Sequence, residues 1–176
     1  MPKTSRKSTQ TNDKVKKIGV LSDTHGTIAP QVYSFFKDCD ELWHAGDIGI
    51  DVIDELRAFK PVRAVWGNCD TSDLHFTLDE QLFFEVEGQR VLMRHIGGWP
   101  GHYPPALRRT LELAAPDIFI CGHSHILKVM YDNDYHLLHI NPGAAGRSGF
   151  HRVCTLVRFV LDPTPRDLEI LEYDKA

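Results

Sequence analysis

The sequence predicts an α/β protein in which two packed β-sheets carry helices on their outer faces. The first third of the chain alternates apolar strands with short amphipathic helices, and the last third contains hairpins but no convincing helix. Neither an internal repeat nor a linker interrupts the pattern. The 176 residues, of which 42% are hydrophobic and 25% charged, suit one soluble globular domain.

The first third is typical of a βαβαβ unit, which begins a mostly parallel sheet with right-handed crossovers. Its strands are predicted at residues 18–21, 41–44 and 62–66, and its helices at residues 30–37 and 51–59. Pro30 suits the first turn of its helix, and Asp51 is placed to cap the second. Ligands of open α/β sheets bind beyond the carboxyl ends of such strands.

After residue 80 the pattern changes to hairpins. Gly88-Gln89 and residues 132–134 are turn signals between apolar segments, and Pro163 begins a further turn. The predicted elements are strands at residues 81–87, 90–94, 117–121, 126–131, 135–140, 153–161 and 168–173, and a helix at residues 104–114.

Charge is distributed unevenly along the chain. Residues 1–17 hold six Lys or Arg and one Asp, so they contribute +5 to a net charge of −4, and the remainder carries −9. The acidic charge of the remaining residues argues against a surface that coats nucleic acid. Nucleic acid is expected only as a possible substrate. We interpret residues 1–15 as a basic, flexible tail and residues 16–176 as a single domain.

The sequence favours a cytoplasmic location. No apolar run approaches the length of a membrane span, and no apolar segment follows the basic residues at the N-terminus as in a secretory signal. The four cysteines form no Cys-x-x-Cys pair, which favours reduced, buried thiols over a structural zinc site. A homodimer that forms through the apolar faces of the hairpins stays an open alternative.

Metal-binding side chains follow five of the predicted strands. They are Asp23, His25, Asp47, Asn68, His95, His123 and His125. Glycine precedes three of these groups, at Gly46, Gly67 and Gly122, and permits the sharp turn by which the backbone leaves a strand. Because the side chains come from separate strands, only a rigid sheet gathers them.

Each of these residues alone has a plainer interpretation. Asp47 after a glycine is more often a turn residue, Asn68 a turn former and His95 an interior histidine. Residues 122–125 are a stronger signal, because two imidazoles in a tight loop suit one metal centre. The joint pattern is much harder to explain by chance.

Seven side chains exceed what one tetrahedral site needs, so two divalent ions that share a carboxylate fit better, with Asp47 between them. Four imidazoles, two carboxylates and one amide favour Mn first, with Ni, Fe, Zn or Co as alternatives, over Mg or Ca. Two such ions clamp the oxygens of an in-line displacement at phosphorus, with a hydroxide between them as nucleophile. The pattern therefore predicts a dinuclear metal-dependent phosphoesterase.

The order of these motifs resembles that of the calcineurin-like metallophosphoesterases over residues 16–173. The matching motifs are Asp23-x-His25, Gly46-Asp47, Gly67-Asn68, His95 and Gly122-His123-x-His125. Spacing and size are most similar to the small YfcE-like bacterial and archaeal phosphodiesterases, which share their fold with the retromer subunit vacuolar sorting protein 29. The resemblance implies a four-layer α/β/β/α sandwich of two mixed sheets, with the metals at the strand ends.

The resemblance also implies residue roles and a reaction. One ion would be held by Asp23, His25 and His125, the other by Asn68, His95 and His123, with Asp47 bridging. The implied activity is phosphodiester hydrolysis of a small phosphoester substrate, with Asp47, Asn68 and His95 as catalytic residues. A phosphomonoesterase or nucleotide phosphatase, a protein-binding scaffold and a metal-binding protein without catalysis remain as alternatives.

Three positions depart from the family pattern or extend it. Many family phosphatases have His where this chain has Cys69, and a thiol is a poor general acid near neutral pH. We hypothesise that His102, in the loop after His95, donates a proton or contacts phosphate; a surface position is the alternative. Arg147 is a weaker phosphate contact, and the loop that begins at Asn141 is expected near the site.

Overall fold

The computed structural model describes residues 15–175. The predicted basic tail, apart from Val15, lies outside the described residues, so it stays a prediction. Among the described residues, no helix has both the length and the apolar character needed to cross a membrane.

Ten strands and four helices occur within the described part of the chain. They are β1 (Lys16–Leu21), α1 (Pro30–Phe36), β2 (Glu41–His44), α2 (Val52–Phe59), β3 (Val62–Ala64), α3 (Ser72–Thr77), β4 (Gln81–Val86), β5 (Gln89–Arg94), α4 (Pro105–Ala114), β6 (Ile118–Ile120), β7 (Leu127–Asp132), β8 (Leu137–Pro142), β9 (Val153–Asp162) and β10 (Thr164–Asp174).

The strands form two mixed five-stranded sheets, with strand orders β10-β9-β1-β2-β3 and β4-β5-β6-β8-β7. In the first sheet β1, β2 and β3 are parallel, and β9 and β10 continue it antiparallel. In the second, β5, β6 and β8 are parallel, with antiparallel β4 and β7 at the edges. This arrangement confirms the predicted fold class.

The main core lies between the two sheets. It contains Val20 of β1, Trp43 of β2 and Phe159 of β9 from the first sheet, and Met93 of β5 and Ile120 of β6 from the second, all buried. Because successive residues of a strand face opposite sides, the neighbours of these residues point outward beneath the helices. Both faces are therefore covered, which explains the near-continuous apolar strands in the sequence.

Helices cover the two outer faces of the sandwich. Phe36 of α1 and Leu56 of α2 pack with Leu42 on the outer face of the first sheet. Leu107 of α4 packs with Phe119 on the outer face of the second sheet. The result is the four-layer sandwich that the resemblance implied.

Three local expectations differ from the structure. The side chain of Asp51 makes no capping hydrogen bond, because its backbone is left-handed (φ 67°) and not extended as a side-chain cap requires. Helix α3 was not predicted, since it buries only Leu74 and leaves Phe76 88% exposed, so no helical periodicity marks it. Strand β3 ends at Ala64 and not at residue 66.

Because the imidazole of His139 is buried, the free energy of unfolding is expected to depend on pH in the acidic range. Its Nδ1 lies 3.2 Å from the hydroxyl of Tyr103, and burial lowers the pKa of His139 to about 4. An unfolded histidine titrates near 6.5, so as the pH falls from about 6.5 to 4 the unfolded chain gains a proton that the folded chain does not. Because of this group, the free energy of unfolding falls by about 1.4 kcal/mol for each pH unit of acidification in that range.

We expect His139→Gln to flatten the dependence of the free energy of unfolding on pH between about 4 and 6.5, as measured by urea denaturation. His136 is exposed, and His136→Gln serves as the control that should leave the wild-type slope unchanged. An unchanged slope in His139→Gln would show that this imidazole is not protected from protonation in the folded protein.

Candidate metal centre

The loops that follow β1, β2, β3, β5 and β6 meet at one edge of the sandwich. The backbone N–H of Asp23 donates to the carbonyl of Gly46 at 3.0 Å, which joins the first two loops. The N–H of His123 donates to Oδ2 of Asp23 at 3.0 Å, which joins the two sheets. All seven residues singled out in the sequence lie in these loops or at their starts.

The six Asp and His side chains among the seven form two clusters. Within each cluster, the atoms that could bind a metal lie within 4.8 Å of one another. The clusters are Asp23 with His25 and His125, and Asp47 with His95 and His123. Oδ2 of Asp47 also lies 3.8 Å from Nε2 of His25, so this carboxylate stands between the clusters. The predicted bridging position of Asp47 is therefore compatible with the geometry.

The spacing of these atoms fits ligands of first-row divalent ions. Nε2 of His125 lies 3.1 Å from Oδ1 of Asp23 and 3.3 Å from Nε2 of His25. Nε2 of His95 lies 3.1 Å from Oδ2 of Asp47. Two adjacent ligands on one ion with bonds of about 2.0–2.1 Å are separated by about 2.8–3.4 Å in octahedral or tetrahedral geometry.

Two atoms of the clusters lack a hydrogen-bond partner among the described residues. Oδ1 of Asp23 and Nε2 of His95 are buried and make no hydrogen bond to any described residue. Nε2 of His95 is close to Asp47 but is not aligned to hydrogen-bond with it. Buried polar atoms without a partner are costly, so these two fit atoms that bind a cation.

Hydrogen bonds fix the tautomers of two histidines so that Nε2 faces the site. Nδ1 of His95 lies 2.7 Å from the carbonyl of Ala45 and must donate to it. Nε2 of His151 donates to the carbonyl of Gly146 at 2.8 Å, so Nδ1 of His151 accepts from Nδ1 of His125 at 3.1 Å. Nε2 of His95 and of His125 therefore carries a lone pair, as a metal ligand requires.

Left-handed backbone is concentrated at the site. Five of the seven residues have positive φ, although none is glycine: Asp23 (55°), His25 (47°), Asp47 (53°), His123 (69°) and His125 (59°). Each such residue costs about 1–2 kcal/mol relative to ordinary backbone. Strain of this kind persists where surrounding structure imposes it and is typical of functional sites.

Asp70 holds two of the loops together. Its Oδ1 accepts hydrogen bonds from the N–H groups of Ile48 (2.8 Å) and Gly49 (2.9 Å), and its Oδ2 accepts from Gly67 (2.8 Å). The carboxylate thus ties the loop that carries Asp47 to the loop that carries Asn68. The sequence alone does not mark Asp70 for this role, because its partners are backbone groups that leave no residue pattern.

Glycine is required where these loops pass close to other groups. At Gly46 (φ 98°) an added Cβ would lie 2.7 Å from Nδ1 of His95, and at Gly122 it would lie 2.8 Å from Oδ2 of Asp23. Glycine therefore serves close approach at Gly122 as well as the sharp turn that the sequence predicts.

The two buried carboxylates are ionised at neutral pH. Burial raises the pKa of Asp23, but the imidazoles of His125, whose Nε2 lies 3.1 Å from Oδ1 of Asp23, and of His95 lower it further than burial raises it. Burial also raises the pKa of Asp47, and interactions with His95 and with the N–H of Cys69 again more than offset it. The two carboxylates therefore contribute two negative charges that a divalent cation would neutralise.

A cleft of about 530 Å³ opens over the clusters. Asn68 and Cys69 line it, and the amide of Asn68 donates to Sγ of Cys69 at 3.4 Å. Sγ of Cys69 also lies within 4.8 Å of ligand atoms of His25 and Asp47. Asn68 therefore lies at the site, in the wall of the cleft over the clusters.

Other predicted residues lie around the site or away from it. The amide of Asn141 donates to the carbonyl of Gly122 at 2.9 Å, which steadies the loop before His123. His102 packs against Trp99, with ring centroids 5.0 Å apart, and neither His102 nor Arg147 is among the residues that line the cleft. The hypothesis of a phosphate contact at His102 or Arg147 therefore gains no support.

His151 and His44 support the clusters from behind. His151 orients His125 across 26 positions of sequence, so no local signal marks it. His44 is buried beneath the first two loops, where Nε2 lies 2.9 Å from Oγ1 of Thr24 and Nδ1 accepts from the N–H of Gly46. Burial lowers its pKa to about 3, so it stays neutral behind the site.

Solved structures with the same fold include a predicted phosphoesterase, an archaeal phosphodiesterase and Vps29. A conserved uncharacterized protein of Streptococcus pneumoniae, described as a predicted phosphoesterase, aligns with a TM-score of 0.68 and 22% identity over 92% of this chain and 91% of its own. A novel archaeal phosphodiesterase aligns at 0.67 and 22%, over 89% and 99%. Vps29 of Entamoeba histolytica in complex with Zn²⁺ aligns at 0.64 and 18%, over 91% and 99%.

No curated protein matches the sequence significantly. The sequence model of the calcineurin-like phosphoesterase superfamily domain matches residues 17–162, which run from β1 to the end of β9 and include all seven residues of the site. Since that match spans most of the chain, and the sandwich and the strand-end cluster agree with it, this chain belongs to the calcineurin-like phosphoesterase superfamily.

Proposed function

We propose that this protein is a dinuclear metal-dependent phosphodiesterase. The observation that carries the proposal is the pair of clusters that meet at Asp47 beneath an open cleft. When bound, two divalent ions supply charge neutralisation at a phosphate and activate water near neutral pH. Manganese is the first expectation, with nickel, iron, zinc or cobalt as alternatives.

The proposed ligands divide between two sites. Asp23, His25 and His125 would hold one ion, and His95 and His123 would hold the other with Asn68. Asp47, which is ionised and lies between the clusters, is shared. The amide of Asn68 is free to turn toward this second site because the residue is exposed in the cleft.

Cys69, which lies beside the clusters, is not expected to donate a proton to the leaving group. Burial and the carboxylate of Asp47 raise the pKa of the Cys69 thiol, so it is a poor acid for a leaving group at neutral pH. An enzyme without a strong general acid favours substrates whose leaving group departs with little help. This favours activated diesters as test substrates.

The test compares hydrolysis of bis-p-nitrophenyl phosphate and p-nitrophenyl phosphate by EDTA-treated protein after Mn²⁺ or Ni²⁺ is added back. The proposal predicts that metal restores turnover of the diester in preference to the monoester. Turnover of the monoester alone would indicate a phosphomonoesterase. Metal binding without turnover of either would favour a protein-binding scaffold, the role that the likeness to Vps29 raises.

A further inference from the structure

A second pocket, of about 330 Å³, lies beside the metal cleft. Trp99, Ser124, Ile126 and Lys128 are among the residues that line it. Ser124 and Ile126 also line the metal cleft, so the two spaces share a wall. Ser124 stands between His123 and His125 in sequence, which places the pocket next to the reacting centre.

The shared wall is held in place by hydrogen bonds. Oγ of Ser124 accepts from the amide of Asn141 at 3.0 Å and from the N–H of Ile126 at 3.2 Å. The loop on the far side is held by a turn in which the N–H of His102 donates to the carbonyl of Trp99 at 2.8 Å. A pocket formed this way binds a ligand without ordering its own walls first.

Two large hydrophobic side chains, Trp99 and Ile126, line the pocket beside polar ones. Trp99 is 44% exposed and Ile126 is 64% exposed, although both are large hydrophobic residues. Because Ile126 lines both the pocket and the metal cleft, a substrate that reaches from one to the other would contact it. An exposed indole is a surface on which a planar aromatic ring stacks.

The pocket also offers a positive charge. Lys128 of β7 is half-buried, and its ammonium group makes no ion pair with any residue in the range 15–175. A lysine at the edge of an apolar pocket provides a site for a second anionic group of the substrate. The pocket therefore combines a stacking surface with an anion site, next to a phosphoester site.

From this combination we infer that the pocket binds a nucleotide arm of the phosphodiester substrate. The base stacks on Trp99, and a second phosphate of the same arm contacts Lys128. The inference deepens the proposed function and rests on it, since the scissile phosphate lies at the metal centre.

The experiment measures KM and kcat for three p-nitrophenyl diesters in the metal-loaded enzyme. The substrates are methyl p-nitrophenyl phosphate, thymidine 5′-(p-nitrophenyl phosphate) and the same thymidine ester with a 3′-phosphate. All share one leaving group. Trp99→Ala should raise KM about tenfold for both thymidine esters and less than twofold for the methyl ester.

Lys128→Ala should raise KM about fivefold or more only for the ester that carries the 3′-phosphate. Matched controls are Phe76→Ala, which removes an exposed aromatic on α3, and Lys37→Ala, which removes an exposed lysine after α1. Equal effects of Trp99→Ala on the methyl and thymidine esters would overturn the inference.

A binding measurement separates the inference from the proposed function. Calorimetric titration with thymidine 3′,5′-bisphosphate should show binding to the wild-type protein and binding about tenfold weaker to Trp99→Ala. If no diester is hydrolysed but this difference is found, the catalytic proposal fails and the pocket assignment stands. If the wild-type protein does not bind the bisphosphate, the pocket assignment fails.

Discussion

Asp47→Asn is expected to lower the metal-restored rate of diester hydrolysis by about a thousandfold. Asp47 is the carboxylate that lies between the two clusters, within 3.1 Å of Nε2 of His95 and 3.8 Å of Nε2 of His25. An amide lacks the negative charge that binds two cations at once. Asparagine is the right substitution because it tolerates the left-handed backbone (φ 53°) of this position better than alanine.

The measurement is kcat/KM on bis-p-nitrophenyl phosphate together with bound metal per chain by mass spectrometry. We expect Asp47→Asn to lose at least one ion while its circular dichroism spectrum stays that of the wild type. Asp54→Asn, an exposed position on α2, is the matched control and should change neither quantity. A variant at Asp47 that keeps activity within about tenfold would contradict a shared ligand at this position.

Asp70→Asn should destabilise the fold and weaken metal binding together. The carboxylate accepts three backbone N–H groups, and an amide of the same size presents an NH₂ group to at least one of them. A buried donor left without a partner costs about 1–3 kcal/mol. Because the loops of Asp47 and Asn68 lose their connection, we expect metal affinity to fall by about 10–100-fold.

Urea denaturation measures the first effect and calorimetric titration with Mn²⁺ the second. Asp134→Asn changes an exposed aspartate in a hairpin turn and should leave both values near those of the wild type. If Asp70→Asn bound metal with wild-type affinity, the connection between the loops would have no part in shaping the site.

The sequence predicted the parts of the site that follow apolar strands. At β1, β2 and β6 an apolar run is followed by Asp or His. Parallel pairing joins the ends of β1 and β2, and the packing of the two sheets brings the end of β6 to the same edge of the sandwich. The strand positions also followed from the apolar runs, since both sheets are covered on both faces. Pairs such as Asp23 and His125 therefore meet although they are about a hundred residues apart in sequence.

What escaped prediction depends on contacts that have no local pattern. His151 contacts the ring of His125, and Asp70 accepts hydrogen bonds from backbone N–H groups of two loops. Helix α3 buries one residue and so shows no periodicity. These features arise from tertiary packing, which a single sequence does not display.

The most direct test of the account is anomalous diffraction from crystals of the protein grown with Mn²⁺. The account predicts two anomalous peaks per chain, one among Asp23, His25 and His125 and one beside His95 and His123, with Asp47 in contact with both. A single peak, or peaks away from these residues, would contradict a dinuclear centre at the ends of the strands.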